Sequence, residues 1–149
     1  MHYMAGYVMS SDLISISEDQ NIEVADSLMK INRIRHLPVV NSSNELSGVL
    51  SAKDTARVKD RKQIIKSVMA TPVRIAKKTD NVKSIIELML KHKISSVLVT
   101  HEKDIVGIVT TDDLLKLLSK LIDEGENLEK MDIATSFFDE SWSGRSKML

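Results

Sequence analysis

The chain carries an internal duplication, and this feature most constrains what its 149 residues can fold into. When the sequence is moved by sixty positions, identical residues meet in the same order along about fifty residues of each half. The matches are Val8-Met9 with Val68-Met69, Asn21 with Asn81, Leu28-Met29 with Leu88-Met89, Ile34 with Ile94, and Val39 with Val99. One position of slip in a loop then brings Gly48 to Gly107, Ser51 to Thr110 and Asp54 to Asp113. A unit of this size buries too little surface alone, so we expect the two units to pack together.

Both halves predict the same order of secondary structure. Asn21 and Asn81 are suitable N-cap residues, because a short side-chain oxygen can accept from the free N–H groups of a first helical turn. The apolar residues that follow recur at helical spacing: Ile22, Ala25, Leu28 and Met29 in the first half, and Val82, Ile85, Ile86 and Met89 in the second. Paired strands are then expected at Leu37–Val40 and Leu46–Ser51 and at Ser96–Thr100 and Ile105–Thr110, with closing helices from about Lys53 and from about Thr111 to Ile122. Each unit is therefore predicted as β-α-β-β-α, and the whole as an α/β fold of two pseudo-symmetric repeats packed as one module.

This order divides the chain into five predicted segments. They are an N-terminal leader (1–7), a first repeat (8–59), a connecting segment (60–67), a second repeat (68–122) and a C-terminal tail (123–149). The tail contains Phe137, Phe138 and Trp142, whose rings either cover an exposed edge of the module or anchor a partner, since aromatic residues dominate interface hot spots. Gly125 is a suitable C-cap for the last helix.

Composition excludes several classes of protein. The 21 basic and 21 acidic residues balance, whereas a chain that binds nucleic acid normally leaves a basic footprint. The absence of cysteine excludes disulfides, Cys-ligated zinc and thiol catalysis. No apolar run approaches the ~20 residues needed to span a bilayer, and the first residues lack the layout of a secretion signal, so we expect a cytoplasmic protein. Because no nucleophile triad, Walker-type loop or metal-ligand spacing occurs, we expect neither catalysis nor a metal.

Three motifs recur or stand at matched places in the two halves. They are Val8-Met9 and Val68-Met69, then Arg35-His36-Leu37-Pro38-Val39, and finally Gly48-Val49-Leu50-Ser51-x-x-Asp54 with Gly107-Ile108-Val109-Thr110-x-x-Asp113. With these motifs in this order, residues 8 to about 121 resemble a tandem pair of cystathionine β-synthase (CBS) domains. The resemblance implies a regulatory module that requires no cofactor and binds adenosine-containing ligands between its repeats. AMP, ADP or ATP are the implied ligands, with S-adenosylmethionine as a further candidate, and a homodimer that signals to an unknown protein is implied as well.

The resemblance also implies which residues bind the ligand. In such modules the Asp of the last motif holds the ribose hydroxyls, the Ser or Thr three residues earlier contacts phosphate, and the positions before the Pro reach a phosphate from the other repeat. Two sites follow: Thr110 and Asp113 with Arg35 and His36, and Ser51 and Asp54 with Ser95 and Ser96. Pro38, Val73 and Ile108 complete the candidate ligand-binding set.

Side-chain chemistry ranks these two sites. Arg35 presents a planar fork suited to phosphate oxygens, and His36 adds a positive charge once it is protonated. The serines opposite Asp54 donate hydrogen bonds but contribute no charge. We therefore expect the Asp113 site to take a charged nucleotide, and the Asp54 site to be empty or to hold a ligand with less phosphate.

Alternatives stay open both for the individual motifs and for the function of the whole chain. The pattern [ST]-x-x-[DE] before a helix is also a capping box, and Arg35 and His36 can form a plain solvated turn. At the level of function, the alternative is a ligand-free structural or interaction module that acts through its dimer surface and aromatic tail. A regulator linked to nucleic acid is a second alternative, and it would bind with a steep salt dependence.

Overall fold

The structure, a computed structural model, describes residues 3–125 and confirms the predicted α/β duplication. The first half contains α1 (Ala5–Val8), β1 (Ile16–Ser17), α2 (Ile22–Asn32), β2 (His36–Val40), β3 (Leu46–Ser51) and α3 (Ala52–Ala56). A 3-10 turn (Ile65–Ser67) leads to β4 (Ile75–Lys77), α4 (Val82–His92), β5 (Ser96–His101), β6 (Asp104–Thr110) and α5 (Thr111–Asp123). The predicted strands and the predicted start of α5 agree with these bounds to within one residue, whereas α3 is a helix of only five residues.

Each repeat builds a three-stranded sheet with the same topology. In the first sheet β1 runs parallel to β2, and β2 pairs antiparallel with β3 so that Leu37 lies opposite Leu50. In the second sheet β4 runs parallel to β5, and β5 pairs antiparallel with β6 so that Val97 lies opposite Val109. Both antiparallel pairs shift register at matched places, after Val39 and after Val99. The two repeats therefore match down to a local irregularity.

The long helix of each repeat begins and ends in the same way. The Asn21 side chain accepts from the Val24 N–H at 3.0 Å, and the Asn81 side chain accepts from the Lys83 N–H at 2.8 Å. Both predicted N-caps are thus confirmed. At the other end, Arg33 and Lys93 adopt the left-handed conformation, with φ of 54° and 53°. The buried faces correspond as well, with Ile22, Ala25 and Met29 in α2 and Val82, Ile85 and Met89 in α4.

These helix faces cover the apolar strands and form the core. In the first repeat, Leu37, Val39 and Leu50 lie fully buried against α2, and Ile65 of the 3-10 turn joins the same cluster. Burying one such side chain stabilises a fold by about 1.5–3 kcal/mol. The matching residues of the second repeat, Val97, Val99 and Val109, are equally buried. The core explains why the apolar spacing in the sequence predicts the elements well.

The first residues of each repeat, as the sequence alignment bounds it, pair with the sheet of the other repeat. Ser10 pairs with Ile108 of β6, and Ala70 pairs with Val49 of β3. Val68 and Met69, which the sequence alignment places at the head of the second repeat, pack against the core of the first. The sequence boundaries of the repeats and their boundaries in space therefore differ.

Two glycines make these crossings possible. A Cβ atom on Gly48 would lie 2.5 Å from the Met69 Sδ, and one on Gly107 would lie 2.4 Å from the Met9 Sδ. Both distances are shorter than side chains tolerate, so each Gly permits a methionine to cross the strand. The glycine of the repeated motif is thus a packing requirement of the fold.

Residues Leu114–Gly125 belong to a second compact unit and are described by themselves. They form most of α5, on which Leu115, Leu118 and Ile122 are exposed, and Gly125 follows with a positive φ of 64°, as expected of a C-cap glycine. The predictions for Phe137, Phe138 and Trp142 lie outside the described residues. Within residues 3–125, no helix has the length and apolar character that crossing a membrane requires.

Candidate ligand-binding cleft

A cleft of about 370 Å³ opens between side chains of the two repeats. This volume lies within the range of small-molecule sites in proteins. Its lining residues come from the start of β2, from β3 and α3, from the segment before β4, and from the turn between α4 and β5 with the first residue of β5. They are His36, Val49, Ser51, Lys53, Asp54, Arg57, Ala70, Pro72, Val73, Arg74, Lys93, Ile94, Ser95 and Ser96. The cleft thus brings together Ser51, Asp54, Ser95 and Ser96, the four residues that the sequence grouped in one site.

The Asp54 carboxylate uses only one of its two oxygens in hydrogen bonds within the chain, among residues 3–125. Ser51 caps α3 by accepting from the Asp54 N–H at 3.2 Å, and the Ser51 N–H donates to the Asp54 Oδ2 at 2.9 Å. Among residues 3–125, the Oδ1 atom has no hydrogen-bond partner. The side chain is partly exposed to the cleft. The capping box and a ligand role are therefore compatible, because the cap uses one oxygen and leaves the other available.

Four cationic residues line the same cleft as this carboxylate. Lys53 and Arg57 come from α3 and its C-terminal end, Arg74 precedes β4, and Lys93 follows α4. Cationic side chains around one cleft raise the local concentration of anions. The sequence-based ranking of the two sites counted the motif residues alone and did not include these four cations. The charge comes from residues outside the motifs.

Asp113, the counterpart of Asp54, has both oxygens engaged. Its Oδ1 accepts from the Ser10 Oγ at 2.8 Å. Its Oδ2 accepts from the Thr110 N–H at 2.8 Å and from the Thr110 Oγ1 at 3.0 Å. The Asp113 residue is 7% exposed. In this arrangement its carboxylate serves the start of α5 and fixes the segment before the first repeat.

Arg35 and His36 lie in a second cavity, a groove of about 430 Å³. Its lining residues are Arg35, His36, Ser51, Ala52, Lys53, Ser95, Thr111 and Asp112. Thr110 and Asp113 are not among them, so this groove does not assemble the four residues predicted for the Asp113 site. His36, Ser51, Lys53 and Ser95 line both the groove and the Asp54 cleft, which makes the two cavities neighbours.

His36 joins the two repeats at this boundary. Its Nε2 lies 2.8 Å from the Ser95 Oγ. Burial lowers the pKa of His36 from its usual value of 6.5, and the nearby carboxylates of Asp112 and Asp54 oppose that shift. Burial thus favours the neutral form of His36, whereas the lysine and arginine side chains of this region carry fixed positive charges.

The remaining predicted residues divide between the cleft and the core. Val73 lines the cleft, whereas Pro38 and Ile108 are buried within β2 and β6 and line neither cavity. The sequence motifs did not identify Lys53 and Arg57 as cleft residues, although their four-residue spacing around Asp54 places them on one side of a helix. Arg74 and Lys93 stand in no motif, so no sequence signal marks them. Among residues 3–125, no cluster of three metal-ligating side chains exists.

Comparison with known proteins gives three informative matches. The inosine-5′-monophosphate dehydrogenase of Methanocaldococcus jannaschii is 30% identical over 113 residues, which cover 75% of this chain and 23% of that protein. The homoserine O-acetyltransferase of Methanobrevibacter ruminantium is 34% identical over 115 residues, covering 75% of this chain and 23% of that protein. This chain therefore spans about a quarter of the length of these relatives.

The third match is a solved structure. The CBS domain pair of protein MJ0100, in complex with 5′-methylthioadenosine and S-adenosyl-L-methionine, superposes with a TM-score of 0.74 at 26% identity. The superposition covers 80% of this chain and 98% of that one. In addition, the CBS domain family model matches twice, at residues 5–60 and 65–120. Because the two matches account for most of the sequence and coincide with the two folded repeats, this chain belongs to the CBS domain family and carries a CBS domain pair.

Proposed function

We propose that this domain pair is a non-catalytic regulatory module that binds an adenine nucleotide, AMP, ADP or ATP, in the Asp54 cleft. One observation carries the proposal: a carboxylate with an available oxygen lies in the same cleft as four cations. A nucleotide presents the complementary pair of groups, since its ribose donates hydrogen bonds and its phosphate is anionic.

The ribose is assigned to Asp54. Asp54 lines the cleft and its Oδ1 atom has no hydrogen-bond partner among the described residues, whereas adjacent ribose hydroxyls are hydrogen-bond donors. Hydrogen bonds to an ionised acceptor contribute about 1.5–3 kcal/mol each, more than bonds between neutral groups. Val49, Val73 and Ile94 supply apolar surface in the same cleft for the flat face of the base.

The phosphate is assigned to the cationic side of the cleft. Arg57 and Arg74 provide forked guanidinium groups, Lys53 and Lys93 provide point charges, and Ser51 adds a hydroxyl group. Lys53 also lines the neighbouring groove, where Arg35 lies. A longer phosphate chain can extend from the cleft into that groove, so ADP and ATP fit the same proposal.

Charge also separates the candidate ligands. The structure of the MJ0100 pair contains 5′-methylthioadenosine and S-adenosyl-L-methionine, which shows that a related pair takes adenosine derivatives. S-adenosylmethionine carries a positive sulfonium group, which the four cations of the present cleft repel. We therefore place AMP, ADP and ATP ahead of S-adenosylmethionine for this chain.

Regulation would act through the two repeats. The cleft takes Asp54 and Arg57 from the first repeat and Arg74, Lys93 and Ser95 from the second, so a bound nucleotide contacts both. A ligand that binds one relative arrangement of the repeats more tightly shifts the population toward that arrangement. A partner protein then binds one relative arrangement of the repeats in preference to the other. We also propose that the module is cytoplasmic and forms a homodimer.

A binding panel tests this function. The full chain is titrated calorimetrically with AMP, ADP, ATP, adenosine, S-adenosylmethionine and GMP, and its melting temperature is recorded with each ligand. At one hundred times the dissociation constant, a ligand stabilises the folded state by about 2.7 kcal/mol, which gives a clear rise in melting temperature. We expect AMP, ADP and ATP to bind more tightly than adenosine and S-adenosylmethionine.

The Asp54→Ala variant should lose most of this binding, and Asp104→Asn, on the exposed start of β6, should retain it. A flat response to all adenine ligands would contradict the proposal and favour an interaction module without a ligand. Nucleotide recovered unchanged after incubation is the result expected of a non-catalytic module, and turnover that disappears in Asp54→Ala would contradict it.

A further inference from the structure

We infer that the residue facing each carboxylate, Ser10 at Asp113 and Ala70 at Asp54, determines which of the two carboxylates accepts a ribose. Ser10 closes Asp113, and the domain pair therefore binds one nucleotide per chain. The inference rests on the proposed function, because it assigns the occupancy of the two related sites.

Ser10 and Ala70 hold the same place in the two repeats. The Ser10 N–H donates to the Ile108 carbonyl at 2.8 Å and the Ile108 N–H donates back at 3.0 Å. The Ala70 N–H donates to the Val49 carbonyl at 2.9 Å and the Val49 N–H donates back at 3.2 Å. In both places the preceding methionine crosses a glycine, Met9 over Gly107 and Met69 over Gly48. The matched backbones therefore direct the two side chains at matched carboxylates.

The side chains at these two places differ by one hydroxyl group. Ser10 uses its Oγ to donate to the Asp113 Oδ1 at 2.8 Å, whereas Ala70 has no group that can donate to Asp54. Both Oδ2 atoms accept a backbone N–H, from Ser51 at 2.9 Å and from Thr110 at 2.8 Å, and the Asp113 Oδ2 also accepts from the Thr110 Oγ1 at 3.0 Å. The Oδ1 atom is thus the one that the Ser10 hydroxyl engages in one repeat and that stays available in the other.

The Ser10 hydroxyl is chemically equivalent to the ribose hydroxyl that would replace it. Both are aliphatic O–H donors to an ionised carboxylate, which is a strong, charge-assisted bond. A ribose that approaches the Asp113 Oδ1 must first break the bond from Ser10, so the net gain from its own bond is small. At Asp54 the same ribose has no hydrogen bond from a described side chain to break at the Oδ1 atom. An internal donor of this kind lowers affinity by about tenfold, the equivalent of about 1.4 kcal/mol.

Reciprocal substitutions test the inference in the full chain, with adenosine and AMP as the titrants. Ser10 and Ala70 are both exposed residues, so Ser10→Ala and Ala70→Ser are expected to fold, and circular dichroism melting checks this. The wild type should bind one equivalent. Ser10→Ala should add a second binding event, which disappears in Ser10→Ala with Asp113→Asn. Ala70→Ser should weaken the first event about tenfold, and Ser11→Ala, at the next exposed residue, should behave as wild type.

The results of these titrations distinguish a failure of the inference from a failure of the proposed function. If no variant binds adenosine or AMP, the proposed function fails and the inference fails with it. If the wild type binds one equivalent at Asp54 but Ser10→Ala still binds one and Ala70→Ser keeps its affinity, the inference fails and the proposed function stands. Two equivalents on the wild type would also overturn the inference.

Discussion

The surroundings of Asp54 and of Asp113 share a backbone but differ in chemistry. Each carboxylate follows the last strand of its repeat, accepts a backbone N–H from the strand end, and faces a segment that crosses from outside the repeat. Asp54 keeps one oxygen available in a cationic cleft, whereas Asp113 is buried and has both oxygens hydrogen-bonded within the chain. Duplication therefore supplies two similar backbone frames, and a few side chains give the two carboxylates different surroundings.

The sequence shows how few changes this requires. At the positions aligned by the repeat, Ser10 stands where the other half has Ala70, Asp112 where it has Lys53, and Ile14 where it has Arg74. The first exchange occupies the carboxylate, the second reverses a charge, and the third removes one. Each exchange disfavours an anionic nucleotide at Asp113, and none changes the fold. The predictions below test this difference, beginning with the largest expected effect.

Removal of each carboxylate should affect binding very differently. Asp54→Ala should weaken AMP binding by about 100-fold, because it removes the charged acceptor for two ribose hydroxyl groups. Asp113→Ala should change affinity by less than about threefold. Asp54→Ala removes one accepted hydrogen bond and Asp113→Ala removes three, so the melting temperature of each variant is recorded beside its affinity. Calorimetric titration measures both affinities, and equal losses or the reverse order would contradict the difference between the two regions.

Removal of one cation should weaken the binding of anions selectively. Arg74→Gln should lower AMP affinity by about tenfold and leave adenosine affinity within about twofold, because Arg74 acts on the phosphate. Lys83→Gln, an exposed cation on α4 outside the cleft, serves as the control. Parallel titrations at low and at raised salt concentration should show the Arg74 effect shrink as salt increases. A similar loss for AMP and adenosine would remove Arg74 from the phosphate site.

Removal of Arg35, the arginine of the neighbouring groove, should weaken the binding of nucleotides with longer phosphate chains the most. Arg35 lines the neighbouring groove and does not line the Asp54 cleft, so it lies beyond the first phosphate. Arg35→Gln should therefore weaken ATP binding by about fivefold and AMP binding by less than twofold. A competition titration with both nucleotides measures the ratio. An equal loss for AMP and ATP would place Arg35 at the first phosphate instead.

The smallest expected effect concerns pH. Because burial lowers the pKa of His36, the folded state binds fewer protons than the unfolded state near the usual value of about 6.5. The free energy of unfolding should therefore decrease as the pH falls through that value, and His36→Gln should show a shallower decrease. Urea unfolding between pH 8 and pH 5.5 measures the slope, with His101→Gln, at the exposed end of β5, as control. Identical slopes for the wild type and His36→Gln would contradict the pKa direction.

Local features of the chain could be predicted from the sequence. Asn21 and Asn81 cap their helices as expected, and Leu46–Ser51 is a strand with the predicted bounds, because short-range hydrogen bonding and apolar spacing determine both. The motif also identified Asp54 and Ser51 correctly as neighbours in the cleft. These features depend on residues a few positions apart.

The charge of the cleft could not be predicted in the same way. Arg74 and Lys93 line the same cleft as Asp54 only because the repeats pack together, and neither residue stands in a recurring motif. The bond from Ser10 to Asp113 joins residues 103 positions apart. The predicted preference for Asp113 followed from the motif residues alone, and the long-range neighbours seen in the structure are the reason why we propose Asp54 instead.

The most direct test of the central claim is a crystal structure of the full chain grown with AMP. The account predicts one nucleotide per chain in the Asp54 cleft, with its ribose on Asp54 and its phosphate near Arg57 and Arg74. A nucleotide held by Asp113 while the Asp54 cleft stays empty, or no bound nucleotide at a saturating AMP concentration, would contradict the account.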